Sequence, residues 1–177
     1  MKNVLDIYLK ENGTNRTQLV GKTNISEKAL AKTSKRDPED YSADIVVAIS
    51  EEVGATPGQI LDRMLVIRDS DMLYHATNFE ELKQKVDEQE DEFVLEGDFY
   101  DFVKKIKAST LSERETLGFN YGSNGWGDFA AFVLHRFKNN MSREKESKNL
   151  QQKISKLYNI KILNKKESLF RLRQLDY

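Results

Sequence analysis

Residues 15–35, reading NRTQLVGKTNISEKALAKTSK, constrain the fold more than any other stretch of the chain. Their pattern predicts two short helices separated by a three-residue turn at Thr23-Asn24-Ile25, with Ser26 as the N-cap of the second helix. Leu19 and Val20 face inward from the first helix and Ile25 plugs the turn. Ala29, Leu30 and Thr33 return to the inner side of the second, leaving Glu27, Lys28, Ala31 and Lys32 outside. Helices this short need partners to bury an apolar side. Val4, Leu5, Tyr8 and Leu9 supply one stripe before the pair; Ile45, Val46, Ile49 and Val53 supply another after it. Gly54 is placed to end a helix. Thr56-Pro57-Gly58-Gln59 starts the next with a proline at the first helical position and a capping-box glutamine, and Ile60, Leu61, Met64 and Leu65 complete a five-helix unit.

This layout is that of a helix-turn-helix, whose second helix enters the major groove of DNA. Charge selects the same face. The chain sums to only −1, yet residues 1–36, 37–101 and 102–177 carry +5, −15 and +9. In the first block the positive charge sits at Arg16, Lys22, Lys28, Lys32, Lys35 and Arg36, where the motif faces phosphates, and phosphate contacts supply much of the affinity for DNA. A basic face on a solvated bundle is the plainer reading. The agreement of charge with motif favours DNA, with Asn15, Arg16, Ser26, Glu27, Lys28, Ala31, Lys32, Lys35 and Arg36 as the expected contact residues. Lys28 and Lys32 are expected on bases or phosphates; Arg16, Lys35 and Arg36 are expected on phosphates.

Over roughly the first 67 residues the chain resembles the lambda-repressor-like, or Xre/Cro, helix-turn-helix proteins. The resemblance rests on the SEKALAK segment, on Val20 where that family packs two helices closely, and on AISEEVGATPGQIL, which looks like its closing pair of helices. One position departs from the pattern: Arg16 stands where the family has a glutamine at the start of the second helix. The resemblance implies a duplex operator with inverted-repeat symmetry, read by a homodimer.

The remaining composition narrows the class. There is no cysteine, so disulfide and thiolate chemistry are excluded. No stretch approaches the roughly 20 apolar residues of a membrane span, and the opening residues include Asp6, Tyr8 and Glu11 rather than an apolar secretory core. A cytoplasmic protein of a bacterial host cell, with no membrane partner, is expected.

RDSDMLYHAT breaks the helical period, which places a partly packed connector at 68–77 between a DNA-binding domain at 1–67 and a second domain at 78–177. Asn78 with Glu81 starts a helix whose stripe is Phe79, Leu82 and Val86. After the acidic run Asp87 to Glu92, Phe93-Val94-Leu95-Glu96 leans to strand before Gly97. A helix resumes from Asp98 on Phe99, Phe102, Val103 and Ile106, and Ser112 with Glu115 reads as a further capping box. The glycine-studded Gly118 to Gly127 loop precedes an amphipathic helix on Trp126, Phe129, Ala130, Val133 and Phe137. Leu150, Ile154 and Leu157 mark a charged helix, Asn159 to Leu163 a strand, and Leu169, Phe170, Leu172 and Leu175 suit strand or helix. The expected fold is mainly α: an N-terminal five-helix helix-turn-helix bundle plus a C-terminal α+β domain with few short strands.

Catalytic constellations fail on spacing. His75 and His135 lack companions at zinc-ligand spacing, and the glycine loop lacks the order of a phosphate cradle. Glu92, Glu96, Asp98 and Asp101, with Lys104 beyond, form an acidic group without a second acidic motif. No enzyme activity, metal or cofactor is expected. The two-part arrangement resembles the type II anti-CRISPR proteins that join an N-terminal helix-turn-helix autorepressor to a C-terminal inhibitor of an RNA-guided nuclease. That resemblance implies a nuclease-binding domain at 78–177, with no contact residue transferable. Two alternatives stay open: a phage or plasmid repressor whose second domain dimerises it, and an antitoxin.

Overall fold

The computed structural model describes residues 2–115 and 141–175 and is mainly helical, with a small four-stranded sheet in its second half. It divides into two compact units, Met1–His75 and Ala76–Tyr177.

The first unit is a bundle of five helices: α1 (Val4–Glu11), α2 (Arg16–Lys22), α3 (Glu27–Thr33), α4 (Ala43–Val53) and α5 (Pro57–Asp69), with a 3-10 turn at Pro38–Asp40. Four of the five helices start on a side-chain cap. Asn3, Asn15 and Ser26 accept backbone N–H groups of Asp6, Gln18 and Ala29 in the first turns of α1, α2 and α3. Thr56 and Gln59 form the expected reciprocal box on α5, with Pro57 just inside it. Gly54 ends α4 at φ 75°, a left-handed conformation that suits a residue without Cβ. Packing follows the predicted stripes: Leu5, Leu19, Leu30, Ile49, Ile60 and Met64 are fully buried. α5 lies against both α1 and α4. Its last carbonyls at Ile67 and Arg68, and that of the C-cap Ser70, accept hydrogen bonds from the Lys2 ammonium, placing a cation at the negative end of the helix.

The stretch expected as a connector at 68–77 contains the end of α5 and a strand, β1 (Tyr74–Ala76), within which the division between the units falls. The second unit continues with α6 (Phe79–Asp87), β2 (Glu92–Glu96), α7 (Tyr100–Glu115), α8 (Met141–Leu157), β3 (Tyr158–Ile162), β4 (Glu167–Leu172) and a 3-10 turn at Arg173–Leu175. The sheet order is β1-β2-β4-β3, and β4 pairs antiparallel with both β2 and β3. Phe93 and Ile160 flank Phe170 in register. The Phe93 and Phe170 rings stack at 5.0 Å, and Tyr158 meets both edge-on. Gly97 closes β2 at φ 121°, where its N–H donates to the Lys166 carbonyl at 2.7 Å.

Two expectations change. Leu169, Phe170 and Leu172 belong to a strand, because alternation buries Ser168, Phe170 and Leu172 on one side; Leu175 falls in the 3-10 turn. Ser112 does not start a helix, since α7 runs unbroken from Tyr100 through Glu115; no Gly or Pro interrupts it. The Gly118 to Gly127 loop, the Trp126 helix and His135 lie outside the described residues.

Candidate nucleic-acid interface

The α2–turn–α3 unit is held at its centre by Leu19 and Leu30, both without solvent exposure. Thr23 fixes the turn. Its hydroxyl donates to the Leu19 carbonyl at 2.8 Å and accepts from the Ile25 N–H at 3.3 Å, while Ile25 is half-buried in the plug position. α3 thus leaves the turn in a set direction and presents Glu27, Lys28 and Lys32 to solvent, with Ala31 half-buried between them. Lys28 and Lys32 are four residues apart, hence stacked on one side of the helix. Such a like-charge pair costs an isolated helix about 0.2–0.5 kcal/mol. Lys35 and Arg36, also exposed, follow the helix.

The segment after Arg36 is anchored from behind. Arg68 on α5 holds Asp37 at 3.0 Å and Glu39 at 3.2 Å, and its hydrogen bonds to Asp69, Glu39 and Asp37 push its pKa further above the usual arginine value. The polypeptide leaving Lys35 and Arg36 is therefore tied to the bundle rather than free to swing.

The cations of this unit fall into two groups. Lys2 is on the α5 carbonyls, Lys10 over the Tyr74 ring, Arg16 on Asp6, Lys22 on Glu52, Arg63 on Glu11 and Arg68 on three carboxylates. Lys28, Lys32, Lys35 and Arg36 have no ion pair or hydrogen bond through their side chains among the described residues. All four lie on α3 or within three residues of its end. An external polyanion is the natural complement of positive charge left unneutralised at one place.

Arg16 is a correction. Expected on a phosphate, it is instead 5% exposed, with its guanidinium Nη2 at 2.8 Å from Asp6 Oδ2. With its guanidinium buried on a carboxylate, Arg16 joins α2 to α1. Asn3 adds a hydrogen bond to the same Asp6 oxygen at 2.9 Å. Tyr41 completes the surroundings: its hydroxyl is held protonated well above the usual tyrosine range, first by burial and then by the charges of Asp6 and Asp37. Lys22, although exposed, is committed to Glu52 of α4 at 2.7 Å.

Asn15 and Ser26 are exposed, and each uses its side-chain oxygen to cap a helix, Asn15 on the Gln18 N–H at 2.9 Å and Ser26 on the Ala29 N–H at 3.2 Å. The structure also exposes Thr17 and Gln18 in the first turn of α2 and Asn24 in the turn, polar groups that the charge pattern does not single out. Their signal in the sequence is that they lie off the apolar stripe.

In the second unit the acidic group is spread out. Glu92 and Glu96 bound β2, Asp98 lies in the turn after it, and Asp101 is in the first turn of α7. An open cleft of about 560 Å³ lies beside this turn, lined by Thr77, Asn78, Glu96, Gly97, Asp98, Phe99 and Lys166. Asn78 there is the N-cap of α6.

Residues 4–64 match the family model of the Cro/C1-type HTH DNA-binding domain. The match covers α1 through most of α5 and leaves the second unit outside it. No curated protein and no solved structure matches the chain. No helix among the described residues is long and apolar enough to cross a membrane.

Proposed function

We propose that this chain is a transcription regulator that binds a double-stranded operator of inverted-repeat symmetry, with α3 in the major groove, and represses its own promoter. The observation that carries this reading is the set of four side chains, Lys28, Lys32, Lys35 and Arg36, gathered without internal partners among the described residues at the recognition helix of a domain that matches the Cro/C1 type. Lys35 and Arg36 serve as phosphate clamps that set register, and the exposed side of α3 reads base edges. Dimerisation on DNA follows from the two-fold symmetry such operators share with their readers.

The finer reading gives residues 78–177 a second activity, binding and inhibiting a type II CRISPR effector nuclease, so that one chain restrains both a nuclease and its own promoter. It rests on the two-part arrangement and on the segregated charge of the chain. Two measurements on the full-length protein test the pair of activities. A gel-shift titration on promoter DNA containing the inverted repeat should give a specific complex that is weakened on replacing Lys28 and Lys32 by Ala. Target cleavage by a panel of type II effector nucleases should be inhibited by the wild type and equally by that double variant. Specific DNA binding with no inhibition across the panel, together with self-association, would leave a plain dimeric repressor. The absence of specific DNA binding would remove the regulator itself.

A further inference from the structure

Between Asn12 and Arg36 there is one acidic residue, Glu27, and it occupies the exposed first position of α3. Its surroundings are unfavourable to a carboxylate that is to meet DNA unaided. Lys28 and Lys32 point to the same solvent side, but neither stands three or four residues from Glu27, where a helical ion pair would form; those positions are Leu30 and Ala31. The Glu27 carboxylate has no ion pair or hydrogen bond among the described residues. Ser26, the neighbouring cap, supplies the oxygen that the Ala29 N–H needs, so the cap does not depend on Glu27.

We propose that Glu27 is the base-discriminating residue of this interface, accepting a hydrogen bond from the N4 amino group of a cytosine in the major groove. The inference rests on the DNA-binding function proposed for α3 and adds the role of one side chain. The first turn of α3 favours an acid at Glu27 in the free protein, but a carboxylate brought to a phosphate backbone is repelled, so in the complex this acid gains only where DNA offers it a donor. The major groove has two: the N4 amino of cytosine and the N6 amino of adenine. Guanine N7 and O6 and thymine O4 are acceptors and repel it. The adenine amino lies between N7 of its own base and O4 of the paired thymine, two acceptors that face the same carboxylate. The cytosine amino has an acceptor on one side only, the O6 of its guanine. Discrimination therefore runs toward cytosine first, and Lys28 and Lys32 nearby offset the charge carried into the groove.

Selection of bound duplexes from a random library by the full-length wild type, Glu27→Ala and Glu27→Gln provides the test. The wild type should recover a motif with a required C·G pair in each half-site. Glu27→Ala should lose the preference at that pair alone and weaken binding to the wild-type site about 10-fold, within the usual cost of removing one base interaction. Glu27→Gln should move the preference there to A·T, because a glutamine amide both donates to N7 and accepts from N6 of adenine. Circular dichroism of the free variants should be unchanged. A wild-type motif retained at every position by both variants would overturn the assignment while leaving DNA binding intact. So would a uniform gain in affinity on all sequences, which would make Glu27 a source of repulsion only. Failure of the wild type to enrich any motif would overturn the assignment together with the specific-binding reading beneath it.

Discussion

The Arg16 guanidinium and the Asp6 carboxylate meet at 2.8 Å with both side chains more than nine-tenths buried, joining the first turn of α2 to the first turn of α1. A pair in this position sets the helix-turn-helix against the bundle. Because α3 is carried on α2 through Leu19, Leu30 and the Thr23 turn, the placement of α3 depends on an ion pair buried inside the bundle.

Breaking that pair should unfold the first unit more readily without altering how the folded molecule meets DNA. Arg16→Ala removes the guanidinium from the buried Asp6 carboxylate, a class of change that costs about 3–5 kcal/mol. Urea denaturation followed by helical circular dichroism should show this loss, and the double variant Arg16→Met with Asp6→Leu should restore most of it. The slope of log affinity against log salt for operator DNA should match the wild type at concentrations where the variant is folded. A shallower slope for Arg16→Ala would return Arg16 to the phosphate backbone.

Lys28 and Lys32 should behave in the opposite way. Replacing both by Ala removes two exposed cations and no internal ion pair or hydrogen bond among the described residues. The salt slope should fall by about 0.9 for each phosphate that is no longer neutralised. Stability should hold or rise by about 0.2–0.5 kcal/mol, because the lysines repel each other one turn apart. Thermal melts and fluorescence titrations at several salt concentrations read the two effects separately. An unchanged slope and affinity would move the interface off α3.

In the second unit, Lys85 and Glu90 form a buried pair, with Nζ 3.6 Å from Oε2, beneath the Tyr158 hydroxyl. That hydroxyl donates to the Glu90 carbonyl at 2.8 Å and stays protonated well above the usual tyrosine range, chiefly through burial and secondarily through the Glu90 charge. Lys85→Met alone should cost about 3–5 kcal/mol by removing the cation beside the buried Glu90 carboxylate, whereas Lys85→Met with Glu90→Leu should recover most of it. Tyr158→Phe should cost about 1 kcal/mol through loss of the hydrogen bond to the Glu90 carbonyl. A double-mutant cycle on chemical denaturation gives the coupling; additivity of the Lys85 and Glu90 changes would show that the pair does not act as a unit.

How far the sequence reveals this molecule depends on how local each signal is. Gly54, Thr56-Pro57 and Gln59, and Asn78 with Glu81 announce helix ends within four residues, and the structure uses them so. The apolar stripes of α1, α4 and α5 have the period of a helix; that of α1 is buried as expected, while Val53 on α4 and Leu61 and Leu65 on α5 are half-buried and Ile67 is buried beside them. Arg16 defeats the same reasoning because its partner lies ten residues away on another helix, and charge in a sequence carries no record of which side chains are buried together. The three residues of β1 have too little length to show a period, and Leu169 to Leu172 are apolar at spacings that suit two structures until Phe93 and Ile160 flank Phe170. Lys28, Lys32, Lys35 and Arg36 are legible as a basic cluster; that they lack partners among the described residues, while six other cations of the unit have them, needs coordinates.

The second unit should also lose stability in acid at an identifiable contact. Asp87, the last residue of α6, is held by Lys153 of α8 at 2.7 Å and by Lys83 of its own helix at 3.1 Å. Partial burial would raise its pKa, but the hydrogen bonds and charges of the two lysines outweigh this and leave it below the usual aspartate value. A depressed carboxylate pKa means that the folded state holds its proton less tightly than the unfolded one. The stabilisation is therefore complete above the unfolded value, near 3.8, and fades as pH falls through that value toward the folded one. Both lysines and the aspartate are partly exposed, so the effect is that of a screened surface cluster, about 1 kcal/mol at most. Asp87→Asn should lower stability by about that amount at pH 7 and by little at pH 2, with the difference reduced in high salt. Denaturation midpoints of both proteins across this range provide the check. A loss of the same size at both pH values would show that Asp87 contributes by packing or neutral hydrogen bonding and not through its charge.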